Sequence, residues 1–405
     1  MRAPFTRKKR RPREPRVLLV VENIAFARDH RLGKQVDALI ASGHIVTVVS
    51  PRHPAHAAMS AVRVLDYPAA PGGTSAVSFV LEYGWSWLCT TGLVARALLT
   101  TGFDVLQIAG SPDIFFTLSV PARWLGKRTI FDQRDLAPET YVARFGRQDV
   151  VYRLLLWLEH RSYAASDRVI VVNQSLRDIA VARGGVAPRN ITIVGNGPVL
   201  ASINEAVDAH NSAGPGNVRR HDRPELVLVW VGVIGPQDHL DLAIRAFATL
   251  IRATGRNDCR LLVIGEGDAR ANAEALAAEL GIRSEVTFTG WLDARATFSH
   301  LAAADIGVDS NLDAFVTPVK VMEYMAFSLA VVAFDTRETR LLTGNAALLV
   351  APGDVAGLAA AMEELVSNPS LRQQLGETAH LRVEQTVAWD RQQQRYLEVY
   401  RSLRR

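Results

Sequence analysis

Twice along this chain, short apolar strands alternate with amphipathic helices, and a polar stretch separates the two series. This restricts the fold most, because strand–helix–strand units at that rhythm require parallel strands with helices packed on their faces. In the first series VLLVV (17–21) reads as a buried strand. Residues 29–42 read as a helix with Leu32, Val36, Leu39 and Ile40 on one face, and HIVTVVS (44–50) as the next strand. Helix 85–99, strand 104–109, helix 114–125, strand 128–132, helix 150–165, strand 168–172, helix 174–183 and strand 191–194 continue the pattern. Residues 200–224 then turn polar and small, without regular period, and read as a connection. LVLVWV (226–231) restarts the alternation. Helix 239–251, strand 260–265, helix 268–280, strand 286–290, helix 293–303, strand 305–308, helix 318–327 and strand 329–334 follow. Helices 355–366, 369–375 and 386–403 end the chain. The expected fold is α/β, with two doubly wound, Rossmann-like domains facing across a cleft. Ligands in such sheets sit beyond the carboxyl ends of the strands.

With 405 residues, 48% hydrophobic and 21% charged, the chain has room for two cores. Cys89 and Cys259, its two cysteines, make neither a disulfide framework nor a zinc site, which points to a reducing cytoplasm. The net charge of +5 is uneven, since residues 7–16 read RKKRRPREPR. This tail (1–16) is expected to be disordered. It reads either as a solubilising segment or as a contact for an anionic membrane surface, at ~1 kcal/mol per basic residue near the surface. No aromatic or helical reading motif accompanies it, so nucleic acid is not an expected partner. The apolar run after it is too short for a signal peptide. The uncharged stretch 83–95 is too short to span ~30 Å of hydrocarbon. The expected location is cytoplasmic, peripheral at the inner membrane face.

Candidate chemistry gathers at predicted strand ends. In DIGVDSNLDAFVTPVKVMEYMAFSLAVVAFDTRETR (305–340), Pro318 suits a helix start, and Lys320 and Glu323 share one face. A first turn with a lysine beside it suits phosphate, and a carboxylate one turn on can accept from a sugar hydroxyl. On spacing alone, a solvated Lys320–Glu323 pair fits as well. The backbone at Gly232 and Gly235, past a strand, can approach phosphates closely. Gly265 opens the loop GEGDAR, which matches neither the P-loop nor the dinucleotide fingerprint. The first βα loop, ENIAFARDHR, has no glycine, which argues against NAD. FDQRDLAPE puts Asp132, Arg134, Asp135 and Glu139 at a strand end, either as a site or as an ion-pair cluster capping a helix. No D-x-D pair or histidine spacing suggests a metal site, so neither metal nor cofactor is expected.

VMEYMAFSLAVVAFD (321–335) resembles the segment of GT-B glycosyltransferases of family 4 in which a glutamate precedes a small-residue helix and a buried strand. Residues 22–51, IFDQRDLAPET (130–140) and VGVIGPQDHLDLAIRA (231–246) resemble, in the same order, segments of the branch that builds surface polysaccharides. The resemblance implies a retaining glycosyltransferase using a nucleoside-diphosphate sugar, read as UDP-linked, and a saccharide or lipid-linked acceptor. Carried over, Glu323 binds the ribose and residues 317–320, with Thr317 and Lys320, lie at the diphosphate. Gly232, Gly235, Arg337 and Gly265 join the nucleotide-sugar site, and Asp135, Arg134 and Glu139 form the catalytic set. The family's second glutamate is here Phe315, with Asp313 the nearest acid, and its usual histidine is Arg134, which cannot act as a base. Its arginine and lysine at the diphosphate are here Val233 and Asp238. The domains expected on this basis are 17–200 on the acceptor side, linker 201–224, 225–385 for the nucleotide sugar, and a helix 386–405 crossing back to the first domain. A non-catalytic GT-B relative that binds a partner and a nucleotide-sugar epimerase are the alternatives.

Overall fold

The computed structural model describes residues 14–22, 24–59, 61–68, 76–110, 113–212 and 225–403. These form two units. One comprises the described parts of Met1–Val172, Leu176–Val194 and Arg395–Arg405, the other Asn173–Ser175 and the described parts of Gly195–Gln394.

In the first unit, strands β1 (Arg16–Val21), β2 (Ile45–Pro51), β3 (Arg63–Tyr67), β4 (Val105–Ala109), β5 (Arg128–Gln133), β6 (Arg168–Val171) and β7 (Ile191–Ile193) form one sheet. All its pairings are parallel, in the order β3-β2-β1-β4-β5-β6-β7. The helices are α1 (His30–Ala41), α2 (Ala76–Thr100), α3 (Phe116–Trp124), α4 (Ala137–Phe145), α5 (Val150–Ala164) and α6 (Gln174–Ala182). Strands covered on both faces must be apolar throughout, and β4 is buried at all five positions. Asp29 caps α1 by accepting from Leu32 N at 2.9 Å. Strand order reverses between β1 and β4, which makes the crevice beyond their carboxyl ends the natural ligand position.

The second unit contains α7 (Leu200–Ser212), β8 (Leu226–Val231), α8 (Leu240–Thr254), β9 (Cys259–Ile264), α9 (Arg270–Glu279), β10 (Val286–Phe288), α10 (Ala294–Ala303), β11 (Ile306–Asp309) and α11 (Val319–Ala326). Then come β12 (Ala330–Phe334), α12 (Arg337–Thr343), β13 (Ala347–Val350), α13 (Val355–Ser367), α14 (Pro369–Arg382) and the start of α15 (Trp389–Ser402), whose residues from Arg395 on belong to the first unit. Its parallel sheet runs β10-β9-β8-β11-β12-β13 and reverses between β8 and β11. Trp230, Phe247 and Phe334 anchor the core on one face, and Ile203, Leu301 and Phe327 the core on the other. Each such side chain contributes about 1.5–3 kcal/mol by leaving water.

Several expectations need correction. The stretch expected as a linker from 201 to 224 opens with helix α7, whose Ile203 is fully buried in the second core. Residues 213–224 lie outside the described residues. The first unit's middle segment ends at Val194, six residues before the domain boundary expected at 200. Strands β3 and β13 and helices α4 and α12 were not expected; β3 is a half-exposed edge strand with little apolar contrast. Pro318 is the N-cap residue of α11 and not its first turn. The final helix α15 starts among residues of the second unit and ends among those of the first, where Tyr396 and Tyr400 bond to Gln107. Most of the basic tail, residues 1–13, lies outside the described residues. Among those described, no helix is long and apolar enough to cross a membrane.

Candidate functional site

In the second unit the strand ends beside the β8/β11 reversal are built from glycine. Gly232, Gly265 and Gly267 take φ of 154°, 148° and 157°. A Cβ on Gly265 would lie 1.8 Å from the Gly232 oxygen, and one on Gly267 2.4 Å from the Ile234 oxygen. The loops beyond β8 and β9 can touch this closely only without side chains. They are tied by Gly232 N to Ile264 O (3.0 Å), Ile234 N to Glu266 O (2.8 Å) and Ala269 N to Ile234 O (2.9 Å). The Gly235 N–H donates to the Asp238 carboxylate at 3.2 Å, so this acid serves its own loop.

Lys320, in the first turn of α11, reaches this floor. Its Nζ lies 3.6 Å from Asp309 Oδ1, 3.9 Å from the Trp230 ring centre and 3.3 Å from the Cβ position at Gly232. Burial holds the Asp309 carboxyl above its ordinary range, and Lys320 offsets this only in part. Trp230 Nε1 donates to Ser310 Oγ, which donates to the Asp238 carbonyl. Trp230 and Asp309 thus position the lysine, and neither carries a motif that sequence reading could use. Glu323 sits half-buried one turn further along α11. The helix is pinned by Tyr324, whose hydroxyl oxygen accepts from Val231 N at 2.8 Å and whose ring occupies the space a Cβ on Gly307 would need. Thr317 Oγ1 accepts from Asn173 Nδ2 at 3.0 Å. Asp313 accepts from the Phe315 N–H at 2.8 Å, a turn within its own loop rather than a replacement for the glutamate absent at 315. Arg337 Nη1 lies 3.5 Å from Ser175 Oγ, whereas Arg340 forms an exposed pair with Asp335.

The first unit arranges charge instead. Asp132, fully buried at the end of β5, accepts from Arg31 Nη2 and Gln35 Nε2, both at 2.9 Å. Burial alone would raise its pKa, but Arg31 and Arg134 outweigh burial and hold it low. Arg134 pairs with Asp29, and its Nε lies 3.7 Å from Asp132 Oδ2. Neither Nε nor Nη2 of Arg134 has a hydrogen-bond partner, although both atoms are buried. Asp135 is exposed. Glu139 is grasped by Arg183, which also holds the buried Glu159 at 2.7 Å. Its surroundings are therefore those of the ion-pair cluster rather than of a base awaiting a substrate. Nearby, burial and then Glu159 push the Asp113 carboxyl up to about 8. The charge partners Arg31 and Arg183 were missed because they lie far from the motif in sequence. His30 is exposed, and among the described residues no cluster suits a metal ion.

Solved structures resemble nearly the whole chain. Sucrose-phosphate synthase from Thermosynechococcus elongatus matches with a TM-score of 0.73 at 17% identity, over 96% of this chain and 99% of that one. Anabaena HepE in complex with UDP and glucose matches at 0.73 and 14%, over 96% and 100%. WaaG, a glycosyltransferase involved in lipopolysaccharide biosynthesis, matches at 0.68 and 17%, over 95% and 99%. With its parallel sheets of seven and six strands, the chain has the GT-B fold. The family model described as Glycosyltransferase Family 4 matches residues 34–200, and that described as Glycosyl transferases group 1 matches 225–368. Lipopolysaccharide core biosynthesis glycosyltransferase LpsE of Rhizobium meliloti is 34% identical over 139 residues, 34% of this chain and 40% of that protein. Alpha-D-kanosaminyltransferase of Streptomyces kanamyceticus is 26% identical over 230 residues, 55% and 57% of the two chains. The chain belongs to glycosyltransferase family 4. The matches span about half the length of the curated relatives.

Proposed function

We propose that this chain transfers a sugar from a UDP-linked donor to a saccharide or lipid-linked acceptor, with retention of configuration. The observation that carries this reading is Lys320, held over the glycine floor at the start of α11 with Glu323 one turn on. In this reading Lys320 and the N–H groups at the start of α11 take up charge on the departing diphosphate, and the side-chain-free backbone at Gly232, Gly235 and Gly265 lets it come close. Glu323 accepts from the ribose hydroxyls, with Thr317 and Arg337 at the edge of the site. The cation is the lysine, so no metal or cofactor has a role. UDP is chosen because HepE, alike in fold, is solved with UDP and glucose.

The first unit supplies the acceptor side. Arg134 stays protonated, and its guanidinium, anchored on Asp29, takes a sugar hydroxyl or phosphate. Any base in the set is the exposed Asp135, because Glu139 is held by Arg183. Helices α2, α3 and α5 turn Leu88, Leu99 (85% exposed), Trp124 (84%) and Trp157 outward, beside exposed Arg96, Arg123 and Arg161. Apolar and basic residues together suit an anionic membrane surface, where a lipid-linked acceptor would be found on the cytoplasmic side.

Asp238 and Phe315, in place of a basic residue and a glutamate, favour a second reading, a non-catalytic relative that binds a partner. Calorimetric titration of UDP, GDP and ADP into the protein and into Glu323→Ala separates the two. The transferase reading expects UDP to bind and the variant to lose at least about tenfold, or ~1.4 kcal/mol. Absence of binding by all three nucleotides would overturn it and leave the non-catalytic reading.

A further inference from the structure

In the first unit a line of buried side chains runs from α15 to Arg134. Gln107, on β4 and fully buried, donates through Nε2 to Gln35 Oε1 at 3.1 Å and Asp132 Oδ2 at 3.4 Å. Its Oε1 accepts from the hydroxyls of Tyr396 at 2.9 Å and Tyr400 at 2.6 Å. These hydroxyls are 3.1 Å apart, so whichever donates to the other, one proton still points at Gln107. Burial raises the pKa of both phenols, which keeps them donors.

An amide has one accepting end and one donating end. Asp132 Oδ2 can only accept, so the amide cannot turn over, and the two hydroxyls supply the donors that hold its oxygen on the other side. Turned, it would set its oxygen against the Asp132 carboxylate. Asp132 Oδ2, which receives the Gln107 and Gln35 amides, is also the oxygen facing Arg134 Nε. We propose that Tyr396 and Tyr400 are positioning residues for Arg134, acting by holding the Gln107 oxygen in place and, through that amide, the placement of Asp132. The proposal rests on the reading of Arg134 as a substrate contact. It adds that the last helix of the chain, not only the β5 loop, sets the geometry of that contact.

The test compares Tyr396→Phe, Tyr400→Phe and the double variant. Either hydroxyl alone still donates to the Gln107 oxygen and holds it, so each single variant should keep kcat near wild type. The double variant should lose about ten- to a hundredfold in kcat, the range expected for a misplaced contact, with the donor KM unchanged because the donor contacts lie on other residues. Backbone hydrogen exchange over residues 132–136 should quicken in the double variant alone. Wild-type kcat in the double variant, or a loss that only follows a lowered melting temperature, would overturn the proposal. If the wild-type protein transfers no sugar, the transferase reading fails by itself. Exchange at 132–136 then decides the positioning claim, faster supporting it and unchanged refuting it. Should the double variant not fold, Gln107→Met tests the same link, and Tyr400→Phe added to it should have no further effect on exchange or kcat. An additive further loss would refute the link.

Discussion

Beyond β5 of the first unit, arginines and carboxylates stand in buried pairs, Arg31 with Asp132 and Arg134 with Asp29. Beyond β8 and β9 of the second, the same end of a similar sheet carries glycines, and one lysine lies over Trp230. The two constructions fail differently. A buried ion pair is costly to bring out of water and leaves a stranded charge when one partner goes. A glycine floor holds no charge to strand, but its loops close only while no Cβ intrudes. The first unit thus sets its arginines in a network of charges, whereas the second sets a single lysine between buried Asp309 and the Trp230 ring, over backbone without side chains. Their outer surfaces differ too. In the first unit Leu99 and Trp124 stand in solvent, whereas the strongly amphipathic α8 buries Leu240, Ile244, Phe247 and Leu250 on one face.

The largest effect expected is for Asp132→Ala, which strands Arg31 and should destabilise the first unit by ~3–5 kcal/mol. Chemical denaturation followed by probes in each unit checks this, and equal losses in both units would break the comparison. Lys320→Met should weaken UDP binding by ~1.5–3 kcal/mol, the range for a hydrogen bond to a charged group, with little loss of stability, because buried Asp309 can take a proton instead. A variant that binds UDP normally would remove Lys320 from the donor site. Gly265→Ala should introduce ~1–3 kcal/mol of strain, read as weaker UDP binding while hydrogen exchange in the first unit stays as in the wild type.

The smallest effect concerns pH. Asp113 titrates at about 8 in the folded protein and at ~4 when unfolded, so between these values the folded state holds a proton the unfolded state lacks. Its contribution to stability is therefore lost as pH rises through that window, by ~1.4 kcal/mol from pH 6 to pH 7. Asp113→Asn should flatten that slope in urea midpoints measured at the two pH values. An unchanged slope would show that another group carries it.

Much of the fold was legible. The apolar runs of β1, β2, β5, β8 and β12 and the helical stripe of α1 mark themselves, because burial on both faces or on one demands those patterns. The helix with Lys320 and Glu323 was legible for the same local reason. Helix α7 was hidden in a polar, small-residue stretch, although Leu200, Ile203, Ala206 and Val207 give it a buried side. The strands β3 and β13 escaped because half-exposed edge positions carry little apolar contrast.

The side-chain pairings were not legible. Nothing near Glu139 foretells Arg183, and nothing near Lys320 foretells Trp230. Gln107 meets Tyr396 across 289 positions of sequence. Periodicity and turn residues act within a few residues of each other, so the sequence by itself determined the elements, their alternation and which loops could hold chemistry. Ion pairs and amide orientations depend on atoms that only packing brings within 3–4 Å, in a core where water no longer competes for them. The tertiary structure alone decided that Glu139 is held, that Arg134 is anchored on Asp29 with two donors unpartnered, and that Lys320 rests on the glycine floor.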